Sequence, residues 1–243
     1  NPPTNYLNLY VTSTDIPAIY DVDNDGDLDV LTFDFTGARM QWYKNFFFFF
    51  YGICDSLNYF VLVDECFGDF EENFSNNSVT FDVCSVIDHI APPDENLSTR
   101  ASRHAGSCTL CADLNGDTIR DLILGDISFN NITYLENGGT LQMANIIGQQ
   151  TDFPNYSSTP VYAPLFPSSF YVDVNNDSVR DLLVSSNANT CSLSDKSLWW
   201  YKNTNTDDSA YFEFQQVNFL QNEMIDLSEG AYPGFVDFNA DGL

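Results

Sequence analysis

The segment DVDNDGDLD, residues 21–29, decides the fold of this chain. Three further segments repeat it in phase, and they are DLNGDTIRD at 113–121, DVNNDSVRD at 173–181 and DFNADG at 237–242. Asp, Asn and Gly favour tight turns, so a single copy could be a turn without any ligand. Turn preference explains four copies in the same phase poorly. The chain is therefore built from repeats, and we number their loops first to fourth.

Apolar residues flank every copy of this motif. An apolar segment precedes each copy, at residues 18–20, 110–112, 170–172 and 235–236, and another follows each complete copy, at 30–33, 122–124 and 182–184. Short apolar runs bounded by turn residues predict buried β-strands. We therefore expect each motif to be the loop that joins two buried strands.

A second element, which we name the tetrad, follows each complete motif. It is WYKN at 42–45, YLEN at 134–137 and WYKN at 200–203, and it begins 21, 21 and 27 residues after the first Asp of its motif. This nearly constant offset indicates that one repeat spans several strands. The aromatic residues of the tetrad are expected to pack between repeats, with stacking against a carbohydrate as the alternative.

The spacing of the motifs predicts an all-β fold of the β-propeller type. Motif starts lie 92, 60 and 64 residues apart, and a four-stranded blade takes about 40–50 residues before loop growth. We expect three to four blades here, out of seven in a complete propeller. The predicted units are blades at 1–45, 105–164 and 165–229, a cysteine-containing, β-rich insertion at 46–104, and the start of another blade at 230–243. Inside the insertion, five consecutive Phe at 46–50 predict a buried strand.

The oxygen-bearing residues of the motif suit calcium, which takes six to eight oxygen ligands at about 2.3–2.6 Å. In the first loop, Asp21, Asp23 and Asp25 are expected to offer side-chain oxygens. Asp27 would offer its carbonyl, and Asp29 would close the shell. The corresponding predicted ligands are Asp113, Asn115, Asp117, Ile119 and Asp121 in the second loop, Asp173, Asn175, Asp177, Val179 and Asp181 in the third, and Asp237, Asn239 and Asp241 in the fourth. Ca²⁺ is therefore the predicted cofactor.

The first loop is expected to bind calcium most tightly. It has Asp at four ligand positions and Gly26 at the turn, where glycine relaxes the backbone. The second and third loops have Asn at position 3, and Thr118 and Ser178 replace the turn glycine. The residue at position 4 is expected to point away from the ion.

A resemblance to a known repeat supports this interpretation. An EF-hand would need Glu at position 12, but that position is Thr32, Leu124 or Val184 within an apolar segment. The motif followed by an apolar strand resembles the FG-GAP or VCBS repeat of integrin-α-like propellers, over nearly the whole chain outside the insertion. With the tetrads and the GAYP run at 230–233, the chain is similar to large secreted Bacteroidetes proteins exported by the type IX system. The resemblance implies a calcium-binding propeller that is secreted or held at the cell surface.

The charge of the chain argues against two classes of partner. With 35 acidic and 8 basic residues, the net charge is −27, which repels nucleic-acid phosphates and anionic membrane surfaces. No apolar run approaches the ~20 residues of a membrane-spanning helix. We therefore expect no nucleic-acid partner and no membrane insertion. Thirteen carboxylates lie within the four motifs, which favours neutralisation by cations.

The cysteines and histidines point to structure rather than catalysis. The six Cys, in a Lys-poor chain, favour an oxidising compartment and disulfides or structural thiols. A zinc site at CTLC, residues 108–111, is disfavoured because no second ligand pair accompanies it. His89 and His104 lie in no catalytic motif.

These features predict a non-catalytic module of a secreted or cell-surface protein, whose metal-stiffened blades present loops to a protein or glycan partner. Secretion or cell-surface machinery is a further class of partner. The alternative is an accessory propeller of a secreted polysaccharide-degrading enzyme whose catalytic domain lies outside this chain.

Overall fold

The structure, a computed structural model, describes residues 9–46, 60–73, 75–84, 106–188, 193, 195–225, 232 and 234–242. These residues form fourteen β-strands and one short 3-10 helix, Gln221–Glu223, and include no α-helix. The predicted all-β class is confirmed. No helix in this part of the chain has the length and apolar character needed to cross a bilayer.

Twelve strands form three antiparallel sheets of four strands, and in each sheet the strands pair in sequence order. The first sheet contains β1 (Ala18–Tyr20), β2 (Asp29–Phe33), β3 (Met40–Asn45) and β4 (Phe60–Asp64). The second contains β7 (Ser107–Ala112), β8 (Asp121–Asp126), β9 (Ile132–Asn137) and β10 (Ile146–Gln150). The third contains β11 (Pro167–Val172), β12 (Asp181–Ser186), β13 (Leu198–Asn203) and β14 (Phe212–Gln216). A separate hairpin consists of β5 (Phe70–Glu72) and β6 (Val79–Phe81).

The three sheets share one register, so the sequence repeats are structural repeats. In each sheet, the residue before the motif pairs with the ninth residue of the motif, as Tyr20 with Asp29, Ala112 with Asp121 and Val172 with Asp181. Each complete motif is therefore the tip of the hairpin between the first and second strands. Each tetrad ends the third strand, and the longer third spacing is taken up between β12 and β13.

The second sheet is covered on both faces. Leu122 and Leu124 of β8 belong to a core shared with the first sheet, which includes Leu31 and Trp42. Ile123 between them belongs to a core shared with the third sheet. Because successive side chains of a strand point to opposite faces, β8 is buried along its whole length. The sheets therefore stack face to face in chain order.

Neighbouring sheets approach each other closely at their first two strands. Ile16, just before β1, forms a parallel bridge with Cys108 of β7, and its N–H donates to the Ser107 carbonyl at 2.9 Å. Between the second and third sheets, Gly125 of β8 lies against Pro167 of β11, and a Cβ on Gly125 would come within 1.8 Å of the Pro167 carbonyl oxygen. Only glycine permits this approach.

The range predicted as an insertion, 46–104, contributes to the first sheet. It contains β4, which completes that sheet, so the first repeat extends beyond residue 45. It also contains the hairpin β5–β6, whose Phe70 and Val79 join the first core. The side chain of Gln149 on β10 exchanges two hydrogen bonds with the Val79 backbone, at 2.9 and 3.0 Å. Through these hydrogen bonds the hairpin connects the predicted insertion to the second sheet.

Two further sequence predictions concern the strand at 46–50 and the start of another blade at 230–243. The strand predicted at 46–50 lies outside the described residues except for Phe46, which follows β3. In the predicted start of another blade, 230–243, the described residues 232 and 234–242 are exposed and contain no strand.

Candidate metal centre

All four motif loops have a left-handed φ at their fourth and sixth positions. The fourth and sixth residues of the first loop, Asn24 and Gly26, have φ angles of 60° and 93°. The other loops repeat this with φ between 58° and 86° at Gly116 and Thr118, Asn176 and Ser178, and Ala240 and Gly242. A β-branched residue such as Thr118 rarely adopts positive φ, because its Cβ is crowded there. Strong local interactions must therefore impose this conformation.

Carboxylates at positions 1 and 5 supply those interactions. Asp21 Oδ2 accepts from the N–H of Gly26 at 3.2 Å, and Asp113 Oδ2 accepts from Thr118 at 2.9 Å. The N–H of each position-7 residue donates to the position-5 carboxylate; these residues are Asp27, Ile119 and Val179, at 3.0, 2.7 and 3.1 Å. Such turns form without an ion. The carbonyl ligands predicted at position 7 stay predictions.

The first loop brings three of its predicted ligands together. Carboxylate oxygens of Asp21, Asp23 and Asp25 lie within 4.8 Å of one another. Asp23 is 8% exposed, and its Oδ1 is buried with no hydrogen-bond partner in the described part of the chain. A buried oxygen without a donor is costly, and a cation would satisfy it. The first loop therefore fits a hard cation such as calcium.

Position 3 behaves differently in the other loops. Asn115 Oδ1 accepts from the N–H of Asp117 at 3.0 Å, and Asn175 Oδ1 accepts from Asp177 at 2.8 Å. Asn239 Oδ1 does the same for Asp241 at 3.3 Å in the exposed fourth loop. These amide oxygens are already used in closing the turn. In the first loop, by contrast, Oδ1 of Asp23 has no donor among the described residues.

The position-9 carboxylates lie at the base of the loops. Asp29, Asp121 and Asp181 are all 0% exposed. The Oδ1 of each accepts from the backbone N–H of the tetrad Asn, at 2.8 Å from Asn45, 3.0 Å from Asn137 and 2.9 Å from Asn203. Burial raises the pKa of Asp29 and of Asp121 to about 7, and it also raises the pKa of Asp181. These residues tie each loop to its third strand, a role that sequence reasoning missed.

The tetrad Asn extends this connection. Asn137 Nδ2 donates to the Arg120 carbonyl at 3.0 Å, and Asn137 Oδ1 accepts from the N–H groups of Gly139 and Asn145 at 3.1 and 2.9 Å. Asn203 similarly accepts from Asn205 and Tyr211, each at 3.0 Å. One Asn thus joins the motif to the next hairpin. Its recurrence at the end of every tetrad was the sequence signal for this role.

Lysines in two tetrads reach the loops, which sequence reasoning also missed. Lys44 forms ion pairs with Asp23 and, at 2.9 Å, with Asp25. Partial burial alone would lower the pKa of Lys44, but hydrogen bonds to the two carboxylates raise it overall. Lys202 pairs with Asp177 at 3.1 Å. The second tetrad has Glu136 at this position.

An arginine of the second loop binds the first loop. Arg120 Nε donates to the Asp21 carbonyl at 3.1 Å, its Nη2 donates to Asn24 Oδ1, and its guanidinium lies 5.1 Å from the centre of the Tyr20 ring. Asn24, at position 4, thus serves the contact between loops. The equivalent Arg180 pairs with Asp207 at 2.9 Å.

Four of the cysteines are described. Cys66 and Cys84 form a disulfide. Cys108 and Cys111 are free and buried on β7, where burial raises the pKa of each thiol to about 12. These two thiols are therefore protonated at neutral pH. Cys54, Cys191, His89 and His104 lie outside the described residues.

Comparison of the chain with protein-family models, with curated proteins and with solved structures finds no match. Function is therefore inferred from the loops and from the sheets that carry them.

Proposed function

We propose that this chain is a non-catalytic, calcium-binding β-propeller module of a secreted or cell-surface protein. The observation that carries the proposal is the first loop, where three carboxylates converge and the buried Oδ1 of Asp23 has no donor. Anionic oxygens from Asp21, Asp23 and Asp25 are the ligands that calcium prefers. Asp27, through its carbonyl, and Asp29 would complete the site.

The stacking of the sheets supports the propeller. A blade in a propeller packs against neighbours on both faces, as the second sheet does here. On the first and third sheets, the faces away from these cores carry exposed apolar side chains. Ile19 is 60% exposed and Phe170 is 47% exposed. Apolar faces of this kind suit packing against further blades, in a ring that would contain seven.

In this proposal the ions stiffen the hairpin tips. A ligand bound only by the folded state stabilises it by RT ln(1 + [L]/Kd), about 2.7 kcal/mol at a hundredfold excess over Kd. Rigid tips would present a defined surface to a protein or glycan partner. The Cys66–Cys84 disulfide is compatible with an extracellular location.

Metal analysis together with thermal unfolding tests the proposal. We expect at least two calcium ions per chain in a calcium-replete sample, and a lower melting temperature when EGTA removes them. Asp25→Asn should weaken calcium binding, because it removes one of the three converging carboxylates. Asp152→Asn is the control, since Asp152 is exposed outside the motifs and the change in charge is the same. Fewer than two ions and an unchanged midpoint would instead support loops that are turns only.

A further inference from the structure

We propose that the lysine of the tetrad is an internal cation that competes with calcium for the loop it faces, so that the third tetrad residue sets the calcium affinity of each loop. This inference rests on the proposed calcium binding and adds the residue that regulates it. It concerns Lys44, Lys202 and Glu136, none of which belongs to a motif loop.

The contacts of Lys44 carry the inference. Its ammonium bonds to Oδ2 of Asp23 and to Oδ2 of Asp25, the latter at 2.9 Å. Both carboxylates belong to the converging group of the first loop. Calcium needs such oxygens at about 2.3–2.6 Å, and two cations bound to the same two carboxylates would repel each other strongly. Calcium binding therefore requires the ammonium of Lys44 to move away from at least one of these two carboxylates.

The surroundings of Lys44 keep its ammonium beside the loop. Its side chain is 17% exposed, and that of Asp23 is 5% exposed, so solvent screens the pair weakly. The ammonium also lies 5.9 Å from the ring centre of Trp42 and 5.5 Å from that of Phe46. Cation–π attraction to these rings therefore helps to hold the ammonium in the position from which it bonds to the carboxylates. The lysine thus partly neutralises the ion-free loop.

The other two tetrads form a natural comparison series. Among the described residues Lys202 pairs with one loop carboxylate, Asp177, at 3.1 Å, and both side chains are more than a third exposed, so its competition is weaker. Glu136 places a carboxylate at the same position of the second tetrad. Competition by an internal cation should therefore be strong in the first loop, where it offsets part of the affinity expected from four Asp ligands, weak in the third and absent from the second.

The test isolates the first loop in a chain that carries Asp117→Ala, Asp177→Ala and Asp237→Ala. Calcium titration of this chain by calorimetry is compared with and without Lys44→Gln. We expect Lys44→Gln to lower the calcium Kd roughly tenfold. In EGTA the same change should lower the melting temperature, because Asp23 and Asp25 lose their counter-charge. Lys44→Arg keeps the positive charge, so the calcium Kd should stay near that of the chain with Lys44.

The reciprocal variant is Glu136→Lys in the chain with Asp25→Ala, Asp177→Ala and Asp237→Ala, which isolates the second loop. It should raise the calcium Kd of that loop. If Lys44→Gln does not fold without calcium, this second variant tests the role of the third tetrad residue instead. Unchanged Kd in both variants would overturn the role of the tetrad residue while leaving calcium binding intact. An unmutated chain that takes up no calcium would overturn both proposals.

Discussion

The first and second loops have nearly the same backbone but different charge environments. Both have positive φ at positions 4 and 6, and both end in a carboxylate that is fully buried and bonded to the tetrad Asn. In the first loop, Gly26 adopts its φ of 93° freely, and Asp23 keeps an oxygen without a donor. In the second, Thr118 adopts a disfavoured φ of 73°, and Asn115 closes the turn with its own amide.

This difference shows that the shape of a loop and its capacity for a cation are separable. Shape is maintained by the hydrogen bonds that the carboxylates at positions 1, 5 and 9 accept from backbone N–H groups in all three complete copies. Both loops have carboxylates at positions 1 and 5, so their difference in capacity for a cation depends on position 3 and on the third tetrad residue, which is Lys44 beside the first loop and Glu136 beside the second. Substitutions at shared positions should therefore have similar effects in both loops, and substitutions elsewhere should not.

The largest effect is expected from removing a shared position. Asp121→Ala leaves the N–H groups of Leu114 and Asn137 without their acceptors in the protein interior, so the free energy of unfolding should fall by about 3 kcal/mol. Asp29→Ala should cost a similar amount, since Asp29 accepts from Val22 and Asn45. Urea denaturation in EGTA measures both. The near-isosteric Asp121→Asn is the control and should cost less, while a loss below about 1 kcal/mol for both alanine variants would show that position 9 is not structural.

A smaller effect is expected from the contact between the two loops. Arg120→Met removes donation to the Asp21 carbonyl and to Asn24 and the stacking over Tyr20, which should cost about 1–2 kcal/mol in the same urea experiment. Arg180→Met is the matched control. Arg180 also lies over an aromatic ring, 4.5 Å from the centre of Tyr171, but its polar partner is Asp207 in a pair whose two side chains are about one-third exposed, so solvent screening should keep its cost lower. Equal losses would mean that Arg120 does not couple the loops.

The smallest effect is expected at the turn glycine. A Cβ on Gly26 would meet nothing within 4 Å, so Gly26→Ala should lower stability by about 1 kcal/mol through its left-handed φ alone. Thr118→Gly relieves the same conformation in the second loop and should raise stability by a similar or smaller amount. Melting temperatures in EGTA compare the two variants. Shifts of the same sign would contradict a shared loop conformation.

Much of the fold could be predicted from local patterns. The motif marks hairpin tips because Asp, Asn and Gly favour turns, and the apolar segments beside it are strands in all three complete copies. The place of the predicted insertion in the fold was harder to predict. β4 lies within it but carries no motif or tetrad, and its membership in the first sheet depends on pairing with β3, such as Tyr43 opposite Leu62.

By itself the sequence determined the all-β class, the repeat and the loop positions, because turn chemistry and strand periodicity act over a few neighbouring residues. Only the tertiary structure decided what surrounds the carboxylates. Lys44 meets Asp23 across 21 residues, and Arg120 meets Asp21 across 99. Such contacts depend on strand register and on the stacking of one sheet against the next, and neither is encoded in the local pattern of the motif.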